Sequence, residues 1–324
     1  MSAPTPARTS SGRRPWRRGG SLALAAGALG ALALLTSGCS APTVLAACGR
    51  RLVASASPAL VDPALVEISG IAASRTTAGV WWVHNDSGDT ARVFALDDTG
   101  AVRATLTLPG VTAIDFEDLA VGEGPIAGVN HLYVGDIGDN AAVRPEILVH
   151  RMVEPSVPLT GSTTGTVTGV ETLRLAYPDG PHDAEALAID PVSHSILVIT
   201  KSLAGGAQTV YRASTATAPG ATVTMTVAGT VTTTTGLAGA ITGADLTRDG
   251  LQLAVRTYGG VRVVARNADL PLDRFVAGAT GSVSCTGPVP AEIQGEAIGF
   301  RADGRGYVTV SEGAGAVLHR YTAP

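Results

Sequence analysis

The feature that most constrains the fold is a short segment that recurs five times along the chain. Counted at a shared position, successive copies are 48, 68, 57 and 54 residues apart. Each copy is followed by a second apolar run, such as 81–84 after the first copy and 307–310 after the last. Intervals of about 50 residues are typical of four-stranded propeller blades. The five copies are 68–72, 116–120, 184–188, 241–245 and 295–299.

The rest of the chain after residue 40 also has the character of short strands. Runs rich in Val, Ile, Leu and Thr alternate with Gly, Asp and Pro turns, which indicates an all-β fold. No long segment with a helical period interrupts them. Two Thr-rich stretches, 160–170 and 222–235, keep a β-branched alternation, so we predict outer strands with loose loops there.

The chain ends predict how the ring closes. Only 28 residues follow Glu296, which is enough for about three strands. We expect the segment 50–57 to supply the missing outer strand of the last blade, because pairing the two ends removes an exposed sheet edge. The sequence thus predicts a five-bladed β-propeller over residues 50–324. A six-bladed ring stays open if the 68-residue interval contains an irregular blade.

The first 38 residues have the features of an export signal. Five arginines precede an apolar run, 21–35, which is shorter than the ~20 residues of a transmembrane helix. The run ends in Leu35-Thr36-Ser37-Gly38-Cys39, which resembles a bacterial lipobox. We therefore predict acylation of Cys39, a tether over 39–49, and a location on the outer face of the cytoplasmic membrane. Free secretion is the alternative.

Charge and cysteine content restrict the remaining chemistry. The chain has 23 Lys and Arg against 27 Asp and Glu, and removal of the signal takes away five Arg and no acid. An acidic domain of this kind excludes nucleic acid as the expected partner. If Cys39 is acylated, Cys48 and Cys285 remain, and in an oxidising compartment we predict a disulfide between them. Two unconnected thiols are the alternative.

The repeat also predicts a central ring of side chains. The first strand of a propeller blade lines the channel, so one residue from each copy converges on the axis. Three carboxylates so close together repel one another, and a cation relieves that repulsion. Oxygen ligands suit Ca²⁺, and a hydrated channel with carboxylates bonded to backbone amides is the alternative. The predicted ligands are Ser69, Glu117, Glu185, Thr242 and Glu296.

This ring resembles that of the calcium-activated apyrases. Those five-bladed propellers hold a central calcium ion with Ser, Glu, Glu, Ser and Glu, and the present chain has Thr242 at the second Ser. Four phrases, 84–89, 135–140, 181–187 and 309–313, are also similar to bacterial secreted propellers, some of them called phytase-like or TolB-like. The resemblance implies a calcium-binding propeller and leaves the activity open, because propellers carry many functions.

Polar residues at the ends of the second strands predict a mouth above the ring. Lys201, the only lysine, and Arg256 provide positive charge there, while Asp86, Asp136 or His182 would orient a water molecule. Together with calcium, these groups would bind a small anionic ligand such as a phosphate ester and assist its hydrolysis. A rim of salt bridges that only braces the loops is the competing interpretation.

Two classes of function follow. One is a calcium-dependent hydrolase of phosphate esters or similar extracellular substrates, with Asp86, Asp136, Lys201 and Arg256 as catalytic residues. The other is a non-catalytic propeller that binds a ligand or a protein of the cell envelope. The sequence contains no HExxH, GxSxG, P-loop or CxxC motif, so other familiar hydrolase and redox chemistries have no support. The two classes differ in whether Lys201 and Arg256 both face the mouth.

Overall fold

The computed structural model describes Met1 and residues 52–267, 269–278, 282–292 and 294–323. The chain divides into two units, Met1–Cys39 and Ser40–Pro324, and the description below concerns the second. Five small sheets, each a blade, lie in a ring, so the predicted five-bladed β-propeller is confirmed. Within the described residues, no helix is both long and apolar enough to cross a membrane.

The strands follow one another along the chain in blade order. A first strand, β1 (Val53–Ala56), precedes blade 1, which contains β2 (Ile68–Ala73), β3 (Val80–Asn85), β4 (Arg92–Asp97) and β5 (Val102–Thr107). Blade 2 contains β6 (Phe116–Glu123), β7 (Asn130–Asp136), β8 (Ile147–Val153) and, after β9 (Thr163–Thr166), β10 (Glu171–Ala176). Blade 3 contains β11 (Ala184–Asp190), β12 (Ser195–Thr200), β13 (Gly205–Ser214) and, after β14 (Val223–Thr224), β15 (Thr226–Thr235).

The last two blades complete the ring. Blade 4 contains β16 (Ile241–Leu246), β17 (Gln252–Thr257), β18 (Gly260–Arg266) and β19 (Ser282–Gly287). A 3-10 turn, Leu237–Gly239, precedes it, and a short helix, α1 (Leu272–Val276), lies between β18 and β19. Blade 5 contains β20 (Gly295–Phe300), β21 (Gly306–Ser311) and β22 (His319–Thr322).

The ring closes through its N-terminal strand, as the sequence predicted. β1 pairs antiparallel with β22, with Val53 opposite Thr322 and Ala56 opposite His319. The first strand of every blade contacts the first strands of both neighbouring blades, in the cyclic order β2, β6, β11, β16 and β20. These five inner strands therefore surround the central channel.

The long interval between the second and third repeats contains a strand that leaves its own blade. β9 pairs in parallel with β5 at the outer edge of blade 1, and the chain then returns to blade 2 as β10. In the same way β14 pairs in parallel with β10, outside blade 2. These additions cover two outer edges. The excursion to β9 accounts for the extra length of the 68-residue interval without a sixth blade.

Side chains of successive residues enter different interfaces between blades. Trp82 is fully buried between blades 1 and 2 with Phe116 and Leu132, whereas Trp81 packs between blades 5 and 1 with Val308. This follows from strand geometry, because neighbouring side chains point to opposite faces of a sheet. Both tryptophans therefore serve the packing between blades.

Candidate functional site

The five residues predicted to form the central ring occupy equivalent and irregular positions in the five blades. In each blade the pairing of the first and second strands shifts by one residue at the predicted position. In blade 1, for example, Ile68 lies opposite Asn85 and Gly70 lies opposite His84, so Ser69 is the extra residue of a β-bulge. A bulge leaves its extra residue unpaired and redirects its side chain. The other four bulge residues are Glu117, Glu185, Thr242 and Glu296.

The two hydroxyl groups of the ring connect neighbouring blades. Ser69 Oγ donates a hydrogen bond of 2.5 Å to the carbonyl oxygen of Glu117. Thr242 Oγ1 lies 2.9 Å from the carbonyl oxygen of Gly295 and 3.0 Å from that of Glu296. Their hydrogens therefore bond to backbone oxygens, although a hydroxyl oxygen that donates retains lone pairs that can accept.

Two buried aspartates hold the inner strands together behind the ring. Asp118 of β6 accepts hydrogen bonds from the backbone N–H groups of Leu187, at 2.9 Å, and Ala244, at 3.2 Å. Asp245 of β16 accepts one from Phe300, at 2.7 Å. The inner strands are edge strands, and these carboxylates satisfy backbone donors that would otherwise be buried without partners. The frame of the channel is thereby fixed.

A second tier of residues lies above the ring, two positions before each bulge. In every blade the carbonyl oxygen of this residue accepts a hydrogen bond from the backbone N–H of a residue just beyond the second strand, at 2.8–3.2 Å. The repeated bond places two residues per blade at the channel mouth. The pairs, acceptor first, are Glu67 with Asp86, Asp115 with Gly138, Asp183 with Lys201, Ala240 with Tyr258 and Gln294 with Glu312.

The mouth encloses a polar cavity of about 230 Å³. Its lining is almost entirely polar, and Lys201 contributes the only basic side chain among the lining residues. Three of the five ring residues, the carboxylates, line its floor. The lining residues are Glu67, Asp86, Ser87, Glu117, Asn140, Glu185, Lys201, Tyr258, Gln294, Glu296 and Glu312.

A group of three carboxylates at this mouth has the geometry of a metal site. One oxygen from each of Asp86, Asp115 and Glu117 lies within 4.8 Å of the others. Beside them, a Cβ atom on Gly138 would approach Glu117 Oε1 to 2.3 Å and Asp115 Oδ2 to 2.4 Å. Blade 2 therefore has a glycine where the other blades have larger side chains, and the absence of a side chain lets both carboxylates pack directly against the backbone of Gly138.

The titration of the mouth carboxylates reflects their burial and mutual repulsion. Burial, and then the charge of Glu185, raises the pKa of Glu117 far above its usual range. Burial and the charges of Asp86 and Asp183 raise the pKa of Asp115 to about 6. Burial and the charge of Glu312 raise the pKa of Glu296 to about 7. A bound cation would stabilise the ionised forms of these groups.

Lys201 neutralises one member of the ring. Its ammonium group forms an ion pair with Glu185 and lies 3.1 Å from the hydroxyl of Tyr258. Both charged side chains are buried, with 8% and 6% of their surface exposed. The charge of Glu185 raises the pKa of Lys201 against the effect of burial. The other two ring carboxylates, Glu117 and Glu296, form no ion pair among the described residues.

The structure brings two of the four predicted catalytic residues to the cavity. Asp86 and Lys201 line it, whereas Arg256 is fully buried and forms an ion pair with Glu292. Asp136 is also fully buried, and it accepts hydrogen bonds from two backbone N–H groups and pairs with Arg144 at 2.8 Å. Arg256 and Asp136 lie outside the lining of the cavity.

His182 belongs to a separate cluster beside blade 3. Its Nε2 lies 3.1 Å from Asp179 Oδ1 and 3.0 Å from the Tyr211 hydroxyl, and its ring packs edge-on against Tyr177. His182 is not among the residues that line the mouth cavity. The structure thus places it away from the position at which it would orient water.

The predicted lipidation and disulfide fall largely outside the described residues. Cys39 and Cys48 lie in the part of the chain that is not described, as do the tether 39–49 and all of the signal 1–38 except Met1. Cys285 is half-buried on β19, opposite Val263 of β18. Both modifications stay predictions.

Sequence reasoning missed Gly138 and the acceptor residues of the second tier, which are Glu67, Asp115, Asp183, Ala240 and Gln294. The signal was present, since each acceptor of the tier stands two residues before a ring residue, on the same face of an extended chain. Asp115 precedes Glu117 and Asp183 precedes Glu185 with this spacing. Applying the repeat two residues further upstream would have identified the tier.

The fold and this site define the protein as a five-bladed β-propeller with an acidic channel mouth. No protein-family model matches the chain, and no curated protein shows significant similarity to it.

Proposed function

We propose that the protein is an exported, calcium-binding β-propeller whose ion lies at the channel mouth between Asp86, Asp115 and Glu117. The observation that carries the proposal is the approach of three carboxylate oxygens to within 4.8 Å, where Gly138 has no side chain to keep Asp115 and Glu117 apart. Export rests on the N-terminal sequence, and binding at the mouth rests on this geometry.

The donor set favours calcium over other metals. The three side chains offer only oxygen, which suits hard cations and disfavours zinc or copper, which prefer nitrogen or sulfur ligands. Ca²⁺ takes 6–8 oxygen ligands in flexible geometry, and a polar cavity of about 230 Å³ leaves room for water or a ligand to complete the shell. The ion would lie off the channel axis, toward blades 1 and 2, because these blades supply Asp86, Asp115 and Glu117, whereas Lys201 neutralises Glu185 of blade 3.

The geometry favours a binding propeller over a phosphate hydrolase. A hydrolase of the predicted kind needs Lys201 and Arg256 over the metal, and here Lys201 pairs with Glu185 while Arg256 pairs with Glu292 outside the cavity. A ligand with carboxylate or hydroxyl oxygens would complete the calcium shell directly. We therefore propose calcium-dependent binding of such a ligand, or of an envelope protein that presents one, at the outer surface of the cell.

Calorimetric titration of the full chain with calcium tests the proposal. We expect one site per chain, and we expect Glu117→Gln and Asp115→Asn each to weaken binding by about tenfold or more, since each removes a charged ligand. Glu146→Gln is the matched control, because Glu146 pairs with Arg174 outside the mouth. Absence of saturable binding, or equal binding by the ligand variants and the control, would refute the proposal.

An activity screen separates the binding propeller from the hydrolase. The calcium-loaded chain is incubated with nucleotides, phytate and sugar phosphates, and we expect no calcium-dependent release of phosphate. Calcium-dependent turnover that is lost in Asp86→Asn would establish the hydrolase instead.

A further inference from the structure

The end of the channel opposite the acidic mouth has a different charge pattern. Six residues after the bulge, at the far ends of the inner strands, blades 1 and 4 have Arg75 and Arg248. Blade 2 has Glu123 at the equivalent position. A strand of six residues spans roughly 20 Å, so these side chains lie far from the mouth carboxylates.

The two arginines meet in a small recess. Its lining includes Arg75, Arg248 and Arg301 from the turns of blades 1, 4 and 5, together with the buried Asp245. The recess has a volume of about 20 Å³. A space of this size holds about one water-sized group, such as one oxygen of a tetrahedral anion, and it is far below the volume of a typical site for a nucleotide or a sugar.

The guanidinium groups of Arg75 and Arg248 have no hydrogen-bonding or ion-pair partner among the described residues. Burial lowers the pKa of Arg75, Asp245 opposes this effect, and the charge of Arg248 adds to it. The two guanidinium groups repel each other in this partly buried recess. A bound anion would relieve that repulsion and accept their hydrogen bonds.

The loop that carries Arg75 is held rigidly. Glu154 accepts hydrogen bonds from Ser74 Oγ at 2.6 Å, from the backbone N–H of Arg75 at 3.1 Å and from Thr76 Oγ1 at 2.7 Å. It also accepts one from Trp82 Nε1 at 3.0 Å. All of these donors to the Glu154 carboxylate are neutral groups. The hydrogen bonds fix the backbone at Arg75 before any ligand binds.

The acids nearest the other arginines also have partners. Asp249 accepts hydrogen bonds from Thr247 Oγ1 and from the backbone N–H of Leu251 within its own turn. Asp303 pairs with Arg301 at 3.1 Å. Both carboxylate oxygens of Asp245 accept hydrogen bonds from backbone N–H groups, one from Leu246 and one from Phe300. Glu123 is the remaining acid that acts on Arg75, and it forms no ion pair with it.

We propose that the recess formed by Arg75, Arg248 and Arg301 is a binding site for a small oxyanion of the phosphate or sulfate type. Two unpartnered guanidinium forks offer paired N–H donors, which match the oxygens of a tetrahedral anion. The site is distinct from the metal site, and it does not depend on the proposed function.

Calorimetry of the full chain in calcium-free buffer tests this site. Inorganic phosphate, sulfate and glycerol phosphate are titrated separately, so that a free anion is distinguished from a phosphate headgroup. We expect saturable binding of inorganic phosphate and a loss of affinity of about tenfold in Arg248→Gln. Arg248 is exposed and its turn is held by other residues, so this variant retains the fold. Arg75→Gln should have a larger effect.

Arg174→Gln is the matched control, because Arg174 of β10 is an exposed arginine that forms an ion pair with Glu146. It should bind phosphate as the parent does. Preferential binding of glycerol phosphate with the same loss in Arg248→Gln would assign the site to a phosphate ester. Absence of saturable binding of any of the three anions, or unchanged affinity in folded Arg248→Gln, would overturn the proposal.

Discussion

Ser69 Oγ donates a hydrogen bond of 2.5 Å to the carbonyl oxygen of Glu117, and this bond joins the bulge of blade 1 to the bulge of blade 2. Thr242 forms the corresponding connection between blades 4 and 5. The central ring is therefore divided by function, because its hydroxyls connect blades while its carboxylates face the cavity.

This division predicts a separation of stability from calcium binding. Thr242→Val removes a buried donor that serves two backbone oxygens, so we expect the free energy of unfolding to fall by about 1–3 kcal/mol. Calcium affinity should stay as in the parent, because Thr242 lies on the side of the channel away from Asp115. Urea unfolding and calcium titration of the same variant measure both quantities, and a large loss of affinity would place the ion on the channel axis.

A side chain at position 138 should impair the metal site without removing a ligand. The Cβ of Gly138→Ala would lie 2.3 Å from Glu117 Oε1 and would displace that carboxylate. We expect calcium affinity to fall by roughly tenfold or more. Gly260→Ala is the control, because a Cβ there would meet no atom within 4 Å. Equal affinities in the two variants would contradict the proposed position of the ion.

Removal of the Lys201 ammonium should leave Glu185 as an uncompensated buried charge. Breaking such a buried pair from one side typically costs about 3–5 kcal/mol, so we expect Lys201→Gln to unfold at distinctly lower urea concentration in calcium-free buffer. The double variant Lys201→Gln, Glu185→Gln should recover much of the loss. If the double variant is no more stable than Lys201→Gln alone, the loss of stability does not come from an uncompensated charge on Glu185.

The buried Asp245 predicts a dependence of stability on pH. Burial raises its pKa to about 7, from the usual 3.8 of an aspartate. Between these two pH values the folded state binds more protons than the unfolded state, so this group makes stability fall as pH rises. The contribution is at most roughly 1.4 kcal/mol per pH unit in that interval. Arg75 lies nearby and opposes the shift, and Asp118 is the other buried acid in its surroundings.

Asp245→Asn should reduce this pH dependence. Urea unfolding at several pH values between about 4 and 7 gives the slope for parent and variant. The parent curve should fall more steeply with rising pH than the variant curve. Parallel curves would mean that Asp245 is ionised throughout this interval.

The sequence was informative wherever the repeat was regular. One spacing rule identified five blades and the five bulge residues, and the count of residues after Glu296 identified the closing strand. The bulges themselves could not be predicted, because a bulge is defined by how two strands pair. The alternation of apolar and polar residues along a single strand does not reveal it.

The mouth was harder to predict because its contacts come from residues far apart in the chain. Arg256 lies near the end of a second strand, which is the position from which the mouth residues follow. Its guanidinium instead forms an ion pair with Glu292, 36 residues later, outside the cavity. Asp136 is likewise taken up by Arg144 and by backbone N–H groups of the preceding loop. Such pairings depend on loop conformation, which no periodic pattern specifies.

The most direct test of the central claim is the anomalous diffraction of crystals grown with calcium. The account predicts one calcium peak at the channel mouth, with oxygens of Asp86, Asp115 and Glu117 at about 2.3–2.6 Å. A peak on the channel axis between Glu117, Glu185 and Glu296, or no peak at the mouth in calcium-saturated crystals, would contradict it.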